Sequence, residues 1–329
     1  MNITVLGAGA WGTALAIHLA QRHPVTLWAR NAEHVADMSR ARANPRYLGD
    51  YIFPETLRLE ENLHVALRSA DLILSVVPTS GFRHILREIK ESGCTVPVVW
   101  ANKGLENGTA KLMHEVTAEE LPPSQLRGIL SGPSFAGELA KGLPTAMTLA
   151  SADSAFASEA AAAMHGGTVR VYSSNDVVGV AVGGALKNVM AIAAGISDGM
   201  GFGSNARAAL ITRGLAEITR FGMALGGKLE TFMGLAGAGD LILTCTGDAS
   251  RNRTVGLRLA KGETLEQIIS SLGHVAEGVH TTREVFNRAR ELGVDMPITC
   301  EVNAVLSEGR APRTAVENLL NREQKAEHY

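Results

Sequence analysis

Short apolar runs alternate with helical periods through the first half of the chain. "ITVLGAG" is a strand entering a glycine turn, and "AWGTALAIHLAQR" follows as a helix. "PVTLWAR" makes a second strand and "NAEHVADMSRAR" its helix. After an insert over 44–58 containing proline and tyrosine, "DLILSVVP" is a third strand, stopped at Pro78. "VPVVWANKG", "GILSGPSF" and "PTAMTLAS" read as the fourth, fifth and sixth, and "TVRVYSS" as an edge strand. Strands spaced by helical segments predict a parallel sheet covered by helices. Beyond about Asn175 the period changes. "DVVGVAVGGALKNVMAIAAGI", "ARAALITRGLAEITRFGMAL", "LEQIISSL", "TTREVFNRARELG" and "ITCEVNAVLSEG" all carry helical spacing, with little β-branched alternation.

A chain of 329 residues exceeds the usual size of a single core. The pattern therefore predicts two domains, an α/β unit over 1–174 and an all-α unit over 175–329. No low-complexity linker or internal repeat intervenes, so the two should pack closely. Hydrophobic content of 46% against 19% charged describes a soluble globular protein. A net charge of −2 gives no general attraction to nucleic acid or acidic membranes. Cys94, Cys245 and Cys300 are odd in number and widely spaced, which implies neither a disulfide framework nor a zinc site. The scattered histidines lack ligand spacing, so no metal is implied. The first apolar strand begins directly after Met1, leaving no room for a signal peptide. A cytoplasmic protein is expected.

One stretch resists this picture. "VVGVAVGGALKNVMAIAAGI", over 177–196, has the length of a bilayer span. It is rich in glycine and alanine, carries Lys187 and Asn188 centrally, and lacks flanking basic clusters or an aromatic belt. A buried helix fits it better than a membrane span. Lys187 then either snorkels out of that helix or works as an acid in a pocket.

"GAGAWG" places Gly7, Gly9 and Gly12 in GxGxxG spacing between a strand and a helix. Gly7 permits the tight turn, Gly9 lets a pyrophosphate approach backbone N–H groups, and Gly12 allows helix–strand packing. The helix N-terminus supplies partial positive charge. The fold class is thus an α/β Rossmann-type N-terminal domain plus an all-α C-terminal domain. An NAD site usually ends the second strand with an acid that holds the ribose 2′-hydroxyl. Here that strand ends Trp28-Ala29-Arg30, and Arg30 can face a 2′-phosphate, so NADP (NADPH) is favoured. Glu33 lies close enough to leave NAD possible.

Ligands of open α/β sheets bind beyond the carboxyl ends of the strands. "WANKG" puts Asn102 and Lys103 there, and "LSGPSFAGE" adds Ser131, Gly132 and Ser134. In the helical half, "GLAGAGDLILTCT" brings Asp240, Thr244 and Thr246 into an apolar, glycine-rich setting. A carboxylate buried there needs a cation, and Lys187 is the natural partner. "SRNR" then offers Ser250, Arg251, Asn252 and Arg253. A guanidinium grips phosphate bidentately and Ser and Asn add donors, while Arg253 reads as an ordinary solvated charge.

Taken in order, "GAGAWGTALA", "WANKGLE", "SGPSFAGELAKGLPTA", "GGALKNVMAIAAGISDG", "GLAGAGDLILTCTGDASRNRTVG" and "VAEGVHTTREV" resemble the bacterial NAD(P)-dependent sn-glycerol-3-phosphate dehydrogenases over residues 2–309. "GGALKN" and "SRNR" are specific elements; the first glycine motif is shared with many dehydrogenases. The resemblance implies reversible reduction of dihydroxyacetone phosphate to sn-glycerol 3-phosphate, which feeds glycerophospholipid synthesis. It implies cofactor contacts from Ala10, Trp11, Arg30 and Ala136, with Val275 and Glu277 closing over the cofactor. Lys103, Gly132 and Ser134 would reach substrate, Lys103 touching cofactor too. Lys187 would be the catalytic acid/base. Asp240, Ser250, Arg251 and Asn252 would bind substrate, with Arg251 also at the cofactor. Ser134 is a mild departure, since relatives also carry threonine, but the hydroxyl is kept. A homodimer is expected by analogy.

Ketone reduction by a nicotinamide needs a hydride on carbon and a proton on the developing alkoxide. A lysine whose pKa is lowered by desolvation supplies that proton. Two rivals differ in kind. A ketopantoate reductase or 3-hydroxyacid enzyme would take a carboxylate substrate and would not call for "SRNR". A non-catalytic NADP sensor would leave Lys187, Asp240 and Arg251 without a purpose.

Overall fold

The computed structural model describes residues 1–272, 276–324 and 326–327. Eight strands form one sheet: β1 (Ile3–Leu6), β2 (Val25–Trp28), β3 (Leu57–Glu60), β4 (Leu72–Ser75), β5 (Val98–Trp100), β6 (Arg127–Ser131), β7 (Thr145–Ala150) and β8 (Val169–Ser174). Seven helices accompany them: α1 (Ala10–Leu19), α2 (Ala32–Ala41), α3 (Leu63–Arg68), α4 (Thr79–Glu91), α5 (Met113–Glu120), α6 (Ala136–Ala140) and α7 (Ser154–Met164). Among the described residues, every element after Ser174 is helical. These are α8 (Val177–Gly199), α9 (Gly203–Ala224), α10 (Leu229–Met233), a π-helical turn over Leu235–Gly239, α11 (Asp240–Thr246), α12 (Arg251–Ala260), α13 (Leu265–Leu272), α14 (Glu277–Leu292), α15 (Pro297–Ser307) and α16 (Pro312–Leu320).

The strand order is β3-β2-β1-β4-β5-β6-β7-β8. The chain leaves β1 in one direction and returns to β4 on its other side, so the order reverses between β1 and β4. That switch point opens the crevice where doubly wound sheets hold ligands. Two expectations need correction. β3 was not foreseen, because its "LRLE" directly follows a proline-containing insert and half its residues are charged. The sheet is also not wholly parallel: β7 runs antiparallel to β6, with Leu130 opposite Leu149. The segment over 132–144, which carries only the short α6, returns the chain beside β6 in the opposite direction. β8 closes the edge, as its pattern indicated.

Apolar residues pack on both faces of the sheet. α1 and α7 cover one face through Leu15, Leu19, Phe156 and Met164. On the other, Phe82 and Trp100 belong to a cluster that runs without a break into α8 and the helical half. The membrane-length run is therefore the central helix of a packed domain, with 89% of its most apolar window buried against protein.

Candidate active site

Glycine chemistry shapes the crevice floor. Gly7 sits at φ +114, a left-handed value that side chains resist, and lies against the Val76 backbone just beyond β4. A Cβ on Gly12 would fall 2.0 Å from the Gly7 carbonyl oxygen, so α1 can start only with glycine there. A Cβ on Gly9, by contrast, would meet nothing within 4 Å. α1 has no side-chain cap and no acid in its first turn, so its leading N–H groups stay available. This cradle fits a dinucleotide pyrophosphate. Arg30 is exposed just past β2, as is Glu33 in the first turn of α2.

From the floor, a chain of hydrogen bonds leads to the buried lysine. The Trp11 indole donates to the Ser134 carbonyl at 3.2 Å, and the Ser134 hydroxyl donates to the Gly132 carbonyl at 3.1 Å. Lys103 Nζ donates to that same Gly132 oxygen at 3.0 Å and to Asp240 Oδ2 at 2.7 Å. Lys187 Nζ, on the other side, donates to Asp240 Oδ1 at 2.5 Å. Lys187 is only 8% exposed and Asp240 not at all. One carboxylate thus holds two ammoniums. Sequence reasoning paired Asp240 with Lys187 but missed its second lysine, which lies 137 residues away.

The charges are tuned by this arrangement. Burial pulls Lys187 down to about 8; Asp240 opposes the shift, and the like charge of Lys103 adds to it. Burial alone would raise Asp240, but Lys103 and Lys187 together outweigh it and hold its carboxyl below the usual range. The Thr244 hydroxyl donates mainly to the Asp240 main-chain carbonyl. Thr246 is exposed and bonds Ile242, away from the site.

Residues 250–253 open α12 rather than form a turn. Ser250 is the cap, its side chain accepting from the Arg253 N–H at 3.3 Å. Arg251 stands exposed at the first helical position and has no ion-pair partner among the described residues. The Asn252 amide is engaged within the protein: it donates to Asn188 Oδ1 at 2.9 Å and accepts from the Gly278 N–H at 3.1 Å. Arg253 is not the solvated charge expected of it. Its side chain is 12% exposed and lies 2.7 Å from Asp198, at the end of α8. Asn188 was also missed, although an amide inside so apolar a run is nearly as anomalous as the lysine beside it; it donates to the Lys103 carbonyl at 3.1 Å.

Glu277 starts α14 and accepts from Thr79 at the head of α4. Withdrawal from water raises its carboxyl above the ordinary value, while Thr79, Arg251 and Lys187 pull it back. Glu277 thus lies within electrostatic reach of both cations. Ala136 begins α6, half-buried. Val275 lies outside the described residues.

A turn made for a dinucleotide, linked by hydrogen bonds to a buried ammonium that burial lowers to about 8, defines a two-domain nicotinamide-dependent dehydrogenase. Sequence models of the NAD-dependent glycerol-3-phosphate dehydrogenase N-terminus and C-terminus match residues 2–157 and 176–317. Glycerol-3-phosphate dehydrogenase [NAD(P)+] of Methylobacillus flagellatus is 67% identical over 99% of both chains. Its counterpart in Nitrosospira multiformis is 58% identical over the full length of both. The crystal structure of glycerol-3-phosphate dehydrogenase from Coxiella burnetii superposes with a TM-score of 0.93 at 44% identity, covering 98% of this chain and 99% of that one. The chain belongs to the NAD-dependent glycerol-3-phosphate dehydrogenase family, and it is an NAD(P)-dependent oxidoreductase.

Proposed function

We propose that this enzyme interconverts dihydroxyacetone phosphate and sn-glycerol 3-phosphate, with Lys187 as the general acid and base. One observation carries the reading: a lysine shielded from water, titrating near 8, at the end of a hydrogen-bonded path from the dinucleotide turn. A bound nicotinamide supplies the hydride in reduction and accepts it in oxidation. As the ketone carbon takes the hydride, Lys187 gives its proton to the carbonyl oxygen, and the alcohol forms. Lys103 provides a second cation for the developing alkoxide. Asp240 keeps both ammoniums in place and holds the Lys187 proton available. In oxidation, neutral Lys187 takes the proton back.

Arg251 and the leading N–H groups of α12 are assigned to the phosphate of the substrate. Ser250 and Asn252 shape that end of the helix, Ser250 through its cap and Asn252 through Asn188 and Gly278. Gly132 and Ser134 line the substrate side of the crevice; Trp11, Ala10, Arg30, Ala136 and Glu277 line the cofactor side. NADPH is the favoured cofactor because β2 is followed by Arg30 and no acid, and NAD remains usable. The division at 174/175, a homodimer, a cytoplasmic setting and a role in supplying glycerophospholipid synthesis belong to the same proposal. Support for the setting comes from three unpaired cysteines.

The test is loss of NADPH absorbance with dihydroxyacetone phosphate, with ketopantoate, and with neither. Turnover confined to the phosphorylated ketone supports the assignment. Turnover of ketopantoate instead, or of nothing, overturns it.

A further inference from the structure

α14 is anchored at its start by Glu277, but three more of its residues fall on the same face, at spacings of four, seven and eleven. Thr281 packs against Gly104, where an added Cβ would come within 2.9 Å of its hydroxyl. Glu284 accepts the Gly108 N–H at 3.0 Å. Arg288 donates to the Ala110 carbonyl at 2.9 Å and grips Glu115 on α5 at 2.7 and 2.8 Å. All of these contacts hold, or border, the loop over 104–111 that follows Lys103.

That loop needs holding. Gly108 sits at φ +81 and Ala110 at φ +52. A left-handed alanine is strained, and neighbouring contacts must offset that strain. Arg288 binds the carbonyl of that strained residue. On the opposite side, Arg83 of α4 meets Glu106 through two bonds of 2.7 Å. Glu284 itself is 4% exposed, so its carboxylate has left water for a main-chain donor. Hydrogen bonds to a charged group are stronger than neutral ones. At the loop's head, Lys103 must sit beside Asp240 although Lys187 occupies the other oxygen.

We propose that Glu284 and Arg288 are positioning residues, which clamp the 104–111 loop from the helical domain and thereby hold Lys103 in the active site. The inference rests on the catalytic reading above. It adds that α14 serves both ends of the site: its first residue reaches the cofactor crevice, and its third and fourth turns set the substrate lysine.

The experiment compares Glu284→Ala, Glu284→Gln, Arg288→Met and Lys103→Met in the full-length enzyme, by kcat, KM and pH profile with dihydroxyacetone phosphate. Displacing a reacting group by about 1 Å can cost about 100-fold, so Glu284→Ala and Arg288→Met are expected to lower kcat/KM by about tenfold or more. Glu284→Gln keeps an acceptor and should stay within about threefold of wild type. The pH profile separates positioning from general weakening. Lys187 is faced by Asp240 and Cys245 on α11, by Lys103, and by Glu277 on α14. Lys103 is the like charge that presses its pKa down. Releasing Lys103 should move the alkaline limb of the reduction rate upward by about one pH unit. Should Glu284→Ala and Arg288→Met only lower the melting temperature, with kcat/KM and the limb unchanged, the clamp is overturned. Should Lys103→Met leave kcat/KM unchanged, it is the catalytic reading that falls. If Glu284→Ala does not fold, Arg288→Met, whose side chain is 19% exposed, decides alone.

Discussion

Asp240→Asn removes the one negative charge between the buried Lys187 ammonium and the half-buried Lys103 ammonium while preserving shape. At the 2.5 Å between Lys187 and Asp240, a unit pair in surroundings of effective dielectric constant about 20 gains roughly 7 kcal/mol. If reorganisation returns a little over half of that, the loss is about 3 kcal/mol, or about two units in the pKa of the lysine that yields. Lys187 is the one that yields, since burial has already brought it down to about 8. The new amide adds to the effect by presenting N–H donors where an acceptor stood. In the wild type, roughly nine-tenths of Lys187 is protonated at pH 7; in the variant, roughly one-tenth would be.

Reduction requires the protonated lysine, so its rate is lost as pH rises through the Lys187 pKa. The wild-type limb should fall through about 8 and the variant's through about 6. At pH 7 the variant should be slower by up to about tenfold, part of the loss being regained because its lysine is a stronger acid. Its rate should recover on going to pH 5.5. Initial rates of NADPH oxidation at saturating ketone, from pH 5.5 to 9, measure this directly. A variant that slows equally at every pH, with its limb still near 8, would refute the claim that Asp240 holds the proton on Lys187.

Lys187→Met keeps the bulk of the side chain and removes the acid; kcat should fall about 1,000-fold, while fluorescence titration still detects NADPH binding. Retention of activity within tenfold would exclude Lys187 as the acid. Arg251→Ala should raise KM for dihydroxyacetone phosphate by about 10–100-fold, the worth of a charged hydrogen bond, with a smaller change in kcat. An unchanged KM would remove Arg251 from the phosphate site. Glu217, which accepts from the first N–H groups of α15, is lifted by burial to about 7. A raised folded-state pKa stabilises the fold at low pH, and that contribution is lost as pH rises through about 7. Glu217→Gln cannot ionise, so urea unfolding should show it losing about 2 kcal/mol less than wild type between pH 5.5 and 8. Parallel losses would show that Glu217 does not titrate as described.

What could be read from the chain, and what could not, follows from how local each signal is. The glycine turn is legible because strand, turn and helix are contiguous, and Lys187 and Asp240 because an isolated charge in apolar surroundings is costly. α12 was hidden. Its buried positions Asn252, Val255, Gly256 and Leu259 keep helical spacing, but arginines and a threonine fill the gaps and the start reads as a basic turn. The reversal at β7 has no local signature at all. Nor has the Lys103–Asp240 pair, because it forms only when the helical half packs on the sheet; a Cβ on Gly184 of α8 would lie 2.7 Å from Ser131 Oγ and 3.5 Å from Lys103 Cγ.

The membrane-like composition of α8 follows from the same need. A Cβ on Gly183 would fall 2.3 Å from the Ala236 carbonyl, in the π-helical turn that leads directly into Asp240. A Cβ on Gly195 would fall 2.0 Å from the Arg253 carbonyl, and one on Gly256 2.0 Å from the Ile192 carbonyl. Backbone therefore meets backbone on both sides of Lys187, once toward its counter-ion and once toward the helix that carries Arg251. Larger side chains would open gaps of variable width, whereas glycine contacts fix both distances to the lysine. Apolar all round and small at every crossing, such a helix looks built for lipid. Here, the features that let it pass for a membrane span are those that hold an acid between its carboxylate and the proposed phosphate site.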